Sequence, residues 1–198
     1  MLIGLVGKAG SGKDTVFKRS LVIAKKIGIP NPERVAFADK LKESAAAALG
    51  LSEDAVNYYK GDSGTGHITI LGKPMSMRRF LQLYGTESHR DVFGDNFWVN
   101  AALPLGFDHA HKIVFVTDIR FENEAERIRL LGGKIVQVTG PEDLLQANAA
   151  GHVSESGIAD VDYEIDNTDR SWFDDLDKQI TSIMASFNLA ADVVLPTD

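Results

Sequence analysis

The sequence predicts an α/β fold, a parallel β-sheet flanked by helices in three layers. Short apolar runs alternate with longer segments of helical spacing, the signature of βαβ units joined by right-handed crossovers. The runs Met1–Val6 and Ile113–Val116 are continuously apolar, as in strands buried on both faces. A glycine-rich turn joins the first of them to the first helix.

Met1–Val6 is the first strand. A helix runs from Lys13 to about Ile27, stopped by Gly28 and Pro30. Val35-Ala36-Phe37 reads as a second short strand, after which Asp39 caps a helix that ends at Leu49 before Gly50. Residues 60–75 hold Gly61, Gly64, Gly66, Gly72 and Pro74 and form a loop or small hairpin. Ser76 caps a helix whose apolar positions Met77, Phe80, Leu81 and Tyr84 fall at i, i+3, i+4 and i+7. Ile113–Val116 is a strand, Phe121–Leu131 a helix closed by Gly132-Gly133, and Lys134–Val138 a strand. Residues 139–161 are a polar, Gly/Ala-rich excursion without periodicity. Tyr163–Asp166 is a last strand, followed by a helix from about Ser171 to Phe187.

Composition bounds the function. The 198 residues, 44% of them hydrophobic, suit one domain with a small insertion. The absence of cysteine excludes disulfides, thiolate metal sites and a cysteine nucleophile. The longest apolar run, about Ala45–Leu49, is far short of the ~18 residues of a membrane span, and the first residues lack the features of a signal peptide. A soluble, cytoplasmic protein is expected. The net charge of −7, from 28 acidic and 21 basic residues, speaks against a general nucleic-acid binder. Small-molecule nucleotides are the expected partners, with no nucleic acid and no membrane; a homodimer is admitted.

The glycine-rich turn carries the chemistry. Gly7-Lys8-Ala9-Gly10-Ser11-Gly12-Lys13-Asp14-Thr15 fits G-x-x-x-x-G-K between a strand and a helix, the context this phosphate-binding pattern requires. Its glycines let the backbone wrap around phosphate oxygens, and successive N–H groups with the helix N-terminus supply positive partial charge. Lys13 reaches the β- and γ-phosphates, and Thr15 keeps a hydroxyl for the α-phosphate. The fold is therefore that of a P-loop NTPase, with a small acceptor-binding and lid region. Asp14 stands where Ser or Thr gives a hydroxyl to Mg²⁺. A carboxylate is also a hard oxygen ligand, so Asp14 either holds Mg²⁺, directly or through water, or caps the helix.

Other polar residues identify a phosphoryl acceptor site. No Asn-Lys-x-Asp guanine motif is present, which argues against a GTPase. Ligands of open α/β sheets sit at the carboxyl ends of strands, where Asp39, Asp118 and Arg120 fall, so all three are expected to face the phosphate loop's crevice. Asp39 would orient or deprotonate the attacking oxygen, Asp118 would hold Mg²⁺ or its water, and Arg120 would neutralise phosphate. The bland alternatives are helix caps for the two aspartates and an ion pair with Glu122 or Glu124 for Arg120. Arg78, Gln82, Thr86 and Arg90 recur every four residues, a slowly drifting polar stripe that is either a solvated face or a phosphate clamp. Trp98 either stacks on an acceptor base or belongs to the core.

The segments "GLVGKAGSGKDT", "FADKLK", "SMRRFLQLYGTESHR", "NFWV", "VTDIRFENEAERIRLLGGKIVQV", "HVSE" and "EIDN" stand in the order found in phage-type deoxynucleoside monophosphate kinases, which the chain resembles over roughly residues 2–180. The Gly-Lys-Asp-Thr form of the loop is typical of that family. The resemblance implies ATP + dNMP → ADP + dNDP with Mg²⁺, for DNA precursor synthesis in the cytoplasm, a host's if the gene is a phage's. It implies that the loop binds ATP and that Asp39, Lys42, Arg78, Gln82, Arg90 and Arg120 line the deoxynucleotide side; the residues themselves point to Lys13, Asp39 and Arg120 as catalytic and to Asp14 and Asp118 for the metal. One kinase domain over 1–198 follows, with acceptor residues in about 39–100 and a lid at about 139–157. Thr139–Asp169 holds no Lys or Arg, and His152 is its one potential cation, so the lid's charge must come from Arg120, Arg78 and Arg90. Two other readings stay open: a kinase of another small phosphate acceptor such as dephospho-CoA, and a non-catalytic nucleotide switch or assembly module.

Overall fold

The computed structural model describes residues 1–61, 67–70, 72–141, 158 and 160–188. In chain order these form β1 (Leu2–Val6), α1 (Lys13–Ile27), β2 (Glu33–Val35), α2 (Phe37–Leu49), α3 (Glu53–Lys60), β3 (His67–Ile70), β4 (Lys73–Ser76) and α4 (Met77–Gln82). A π-helix (Leu83–Arg90) continues α4. Then come α5 (Asp91–Phe93), α6 (Phe97–Ala102), β5 (Val114–Val116), α7 (Glu122–Leu130), β6 (Lys134–Thr139), β7 (Tyr163–Asp166) and α8 (Asp174–Asn188). They make two compact units, Met1–Val35 with Phe107–Asp198, and Ala36–Gly106. Among the described residues no helix is long and apolar enough to cross a membrane.

The first unit carries a five-stranded sheet in the order β2-β5-β1-β6-β7, every pair parallel. All five residues of β1 are buried, which accounts for its unbroken apolar run. Ile3 and Leu5 face one way, into a cluster with Val16 of α1 and Ile180 and Met184 of α8. Gly4 faces the other way, where an added Cβ would collide with Ile119 Cδ1 and lie 2.7 Å from Ile128 Cδ1 of α7. Helices thus cover both faces, giving the expected three layers. β1 has β5 on one side and β6 on the other, so its carboxyl end is the switch point where open α/β sheets bind ligands.

Two boundaries depart from the sequence-based expectation. β2 is Glu33–Val35, not Val35–Phe37, and pairs with Val114–Val116. A strand's extent is set by its partner, and the ladder ends where β5 does; the buried Phe37 begins α2 instead. Ala36 is the residue that precedes α2, so Asp39 lies in the first turn and does not cap the helix. In addition, α3 forms where no helix was expected, with the Ser52 hydroxyl accepting from the Ala55 N–H at 3.2 Å.

The second unit holds the antiparallel hairpin β3–β4 and a helical cluster. Ser76 caps α4 as expected, accepting from the Arg79 N–H at 3.2 Å. Met77 and Leu81 pack with Ala45, Ala46 and Val56, so the apolar stripe is buried. Past Gln82 the winding widens into the π-helix, and side chains add bonds to its carbonyls. Tyr84 O accepts from Ser88 Oγ (2.8 Å) and His89 Nδ1 (2.5 Å), and Gly85 O accepts from Trp98 Nε1 (2.9 Å).

Candidate active site

The phosphate loop occupies the carboxyl end of β1. Gly7, Gly10 and Gly12 adopt φ of 148°, 78° and 101°, conformations open to residues without a Cβ. Gly12 immediately precedes α1 and offers no side-chain cap, which leaves the helix's first N–H groups to an anionic ligand. Asp14 sits inside the first turn and is not the cap. The Ser11 N–H donates to Lys8 O at 3.1 Å, and the Ser11 hydroxyl is buried with no hydrogen-bond partner among the described residues. Lys13 Nζ donates to Gly7 O (2.8 Å) and Lys8 O (3.0 Å).

Electrostatics ties further residues to this loop. The Lys13 ammonium is pushed below its usual pKa, first by burial and then by Arg120, while Asp14 and Asp118 act in the opposite sense. Lys13, Asp14, Asp118 and Arg120 thus share one electrostatic neighbourhood, a mixture of two cations and two carboxylates. Glu122, one of the ion-pair partners considered for Arg120, is held by Arg129 at 2.6 Å. The other, Glu124, is only 3% exposed and its carboxylate accepts from the N–H groups of Arg120 (2.7 Å) and Phe121 (3.1 Å). That contact builds the start of α7 and leads Arg120 out of β5 at a fixed place.

Two residues that the sequence did not single out also touch the loop. Asn167, 2% exposed at the carboxyl end of β7, donates through Nδ2 to Ser11 O at 2.8 Å. Arg170 Nη2 donates to Gly10 O at 2.6 Å. The only local hint was a polar side chain just past a strand's carboxyl end, the criterion that singled out Asp118.

The expected acceptor residues Asp39, Lys42, Arg78, Gln82, Arg90 and Trp98 all belong to the second unit. Lys42 Nζ pairs with Asp39 Oδ1 at 2.9 Å, one turn apart on α2. Arg78, Gln82 and Thr86 are exposed and Arg90 half-buried. A spacing of four overshoots one α-turn of 3.6 residues, but it undershoots the wider π-turn. The drift therefore reverses after Gln82, and the switch of helix type returns Arg90 toward the face of Arg78. Gln82 Oε1 accepts from Arg79 at 3.1 Å, and Arg79 also lies 3.6 Å from Glu87. Of the two readings of Trp98, packing gives the core one: it is 5% exposed, donates to Gly85 O and is ringed by Tyr84, His89 and Phe97. The expected lid falls mostly on residues 142–157, including His152, which lie outside the described residues.

In fold, TT1252 from Thermus thermophilus superposes with a TM-score of 0.51 over 94% of this chain and 97% of its own, at 16% identity. In sequence, a protein of Acanthamoeba polyphaga mimivirus, provisionally named a deoxynucleotide monophosphate kinase, is 28% identical over 155 residues, which is 71% of this chain and 75% of that protein. The family model described as deoxynucleotide monophosphate kinase matches residues 39–180, most of the chain. The chain belongs to the deoxynucleotide monophosphate kinase family.

Proposed function

We propose that the protein transfers the γ-phosphoryl group of ATP to the 5′-phosphate of a deoxynucleoside monophosphate, giving dNDP and ADP, with Mg²⁺. The observation that carries this reading is the gathering of Lys13, Asp14, Asp118 and Arg120 around a strand-to-helix phosphate loop in a chain of this family. An acceptor phosphate oxygen attacks the γ-phosphorus in line and ADP leaves. Such a transfer needs positioning and charge neutralisation more than covalent chemistry. Lys13 and the loop N–H groups hold the donor phosphates, and Arg120 neutralises charge on the transferred group. Arg78, Gln82 and Arg90 bind the acceptor, and Asp39, its carboxylate held by Lys42, orients the attacking oxygen.

The carboxylates fit a magnesium ion. Among the described residues no three His, Asp or Glu gather as a metal cluster. Mg²⁺ usually takes one or two carboxylates and completes its shell with phosphates and water, and Asp14 and Asp118 supply such a pair. The ion would neutralise β- and γ-phosphate charge. On this reading the partners are nucleotides alone, and the enzyme works in the cytoplasm, where they are free.

The test is ADP release with ATP and Mg²⁺ alone and with each dNMP added, with dephospho-CoA as a further acceptor. Stimulation by at least one dNMP and not by dephospho-CoA is expected. A slow, acceptor-independent release would make the chain a nucleotide switch, and stimulation by dephospho-CoA alone would make it a kinase of that acceptor.

A further inference from the structure

We infer that Asn167 and Arg170 are positioning residues that hold the phosphate loop in its anion-binding form. The inference rests on the loop's being a triphosphate site and concerns what keeps it in shape.

The peptide groups of an anion-binding loop must point their N–H bonds inward and their carbonyls away, since one flipped carbonyl would set a partial negative charge against phosphate. The same glycines that let the chain wrap make such flips easy. The Gly10–Ser11 and Ser11–Gly12 peptides are each flanked by a glycine at positive φ. Both carbonyls are held from outside the loop, Gly10 O by Arg170 at 2.6 Å and Ser11 O by Asn167 at 2.8 Å. In a trans peptide C=O and N–H point in opposite directions. Fixing Ser11 O therefore fixes the aim of the Gly12 N–H, while fixing Gly10 O keeps that carbonyl turned away from the anion and holds the Ser11 N–H in the turn it closes onto Lys8 O at 3.1 Å. Contact is tight enough that a Cβ at Gly12 would collide with Asn167 Nδ2, and one at Gly140 would lie 2.5 Å from Ser11 Cα.

The segment bearing the two donors is itself held. The Asn167 N–H donates to Thr139 O at 2.8 Å. Asp166 Oδ1 accepts from the Thr168 N–H (2.9 Å) and hydroxyl (2.6 Å), and Asp169 Oδ1 accepts from the Ser171 N–H (2.8 Å). Gln179 of α8 bonds both main-chain groups of Asp166, accepting from its N–H at 2.8 Å and donating to its carbonyl at 3.0 Å. A donor mounted on so many bonds restrains its acceptor, whereas one on a free chain would follow it.

The experiment compares wild type with Asn167→Ala, Asn167→Asp, Arg170→Ala and Arg170→Lys, titrating ATP and inorganic tripolyphosphate and measuring KM for both substrates. For Asn167→Ala and Arg170→Ala, Kd for ATP and for tripolyphosphate should rise together about tenfold, the size of one lost charge-assisted or buried hydrogen bond. The dNMP KM should stay within twofold. Asn167→Asp should be worse than the alanine, because a carboxylate cannot donate to Ser11 O and repels phosphate. Arg170→Lys should recover most of the affinity, since an ammonium can still donate to Gly10 O. Because Arg170 is exposed, its variants stay readable even if those of Asn167 fail to fold. An ATP Kd within twofold of wild type in Arg170→Ala, or a loss for ATP but not tripolyphosphate, overturns the inference. Wild type that binds neither ligand overturns the functional reading itself; wild type that binds both without turning over dNMP leaves the brace tested by Kd alone.

Discussion

Lys13 donates to the carbonyl of Gly7 at 2.8 Å, six residues back along the chain, and to that of Lys8 at 3.0 Å. Its ammonium is thus held on the rim of the loop it serves. Incoming phosphate exchanges two neutral acceptors for anionic ones, so an ion pair replaces an ion–dipole contact. Lys13→Ala removes a donor whose charge is needed most as the phosphoryl group transfers, so kcat should fall about 10²-fold or more. Circular dichroism and the unfolding midpoint should stay near wild type. Near wild-type turnover from folded protein would refute the loop's role.

The same lysine predicts an alkaline signature. Its pKa in the fold lies below the ordinary 10.5, with burial the main cause and Arg120 the second. Between the lowered value and 10.5 the unfolded chain binds the extra proton, so stability rises with pH across that window and the penalty is full below it. Urea unfolding of wild type should therefore gain on Lys13→Met as the pH climbs toward 10.5. A difference between the two that does not change with pH would show that the lysine is not desolvated.

Gly140 follows β6, and a Cβ there would stand 2.5 Å from Ser11 Cα and 2.8 Å from Ser11 O. Backbone cannot give way as a side-chain tip can, so Gly140→Ala must displace either the loop or the strand end. ATP affinity should fall at least tenfold, while the dNMP KM is spared. Fluorescence titration with an ATP analogue reads the first effect and steady-state kinetics the second. Unchanged ATP affinity would mean that the segment after β6 yields instead of the loop.

Much of this was legible in the sequence because it is local. Strand β1, the turn Gly7–Gly12 and helix α1 adjoin one another, and each glycine of the turn has a conformational reason that spacing alone exposes. Ser76 and the stripe Met77, Phe80, Leu81 and Tyr84 likewise declare a helix within nine residues. What was not legible depends on partners distant in the chain. β2 ends where β5 ends, so the apolar Phe37 beyond it reads as strand and begins a helix. Trp98 bonds the π-helix at the carbonyl of Gly85, 13 residues away. Asn167 and Arg170 act on carbonyls 156 and 160 residues away, and no spacing rule links such positions.

Trp98→Phe isolates the π-turn's anchor. The ring volume is largely kept, but Gly85 O loses the indole N–H in a buried place. Gly85 O keeps the helical bond from the Arg90 N–H, five residues on, so the loss is one buried hydrogen bond of about 0.5–1.5 kcal/mol, a fall of roughly 1–6 °C in Tm for a chain of this length. A Tm within a degree of wild type would mean that water or the backbone satisfies Gly85 as well as the indole does.

The acceptor stripe gives the sharpest test of the proposed reaction. If Arg78 and Arg90 hold the dNMP phosphate, then Arg78→Ala and Arg90→Ala each remove a charge-assisted hydrogen bond of roughly 1.5–3 kcal/mol. The dNMP KM should rise by about one to two decades while the ATP Kd stays unchanged. Lysine at either position should recover part of the loss, keeping the charge and losing the planar fork. Arg120→Ala should behave differently and depress kcat more than either KM, because its charge is felt at Lys13, where charge develops on the transferred group. The π-turn adds a condition of its own: it returns Arg90 toward the face of Arg78, so Trp98→Phe should raise the dNMP KM if losing the anchor lets the segment rewind as α-helix. Were Arg78→Ala and Arg90→Ala both to leave that KM unmoved, the stripe would be a solvated face, and acceptor binding would fall to Asp39 and Lys42.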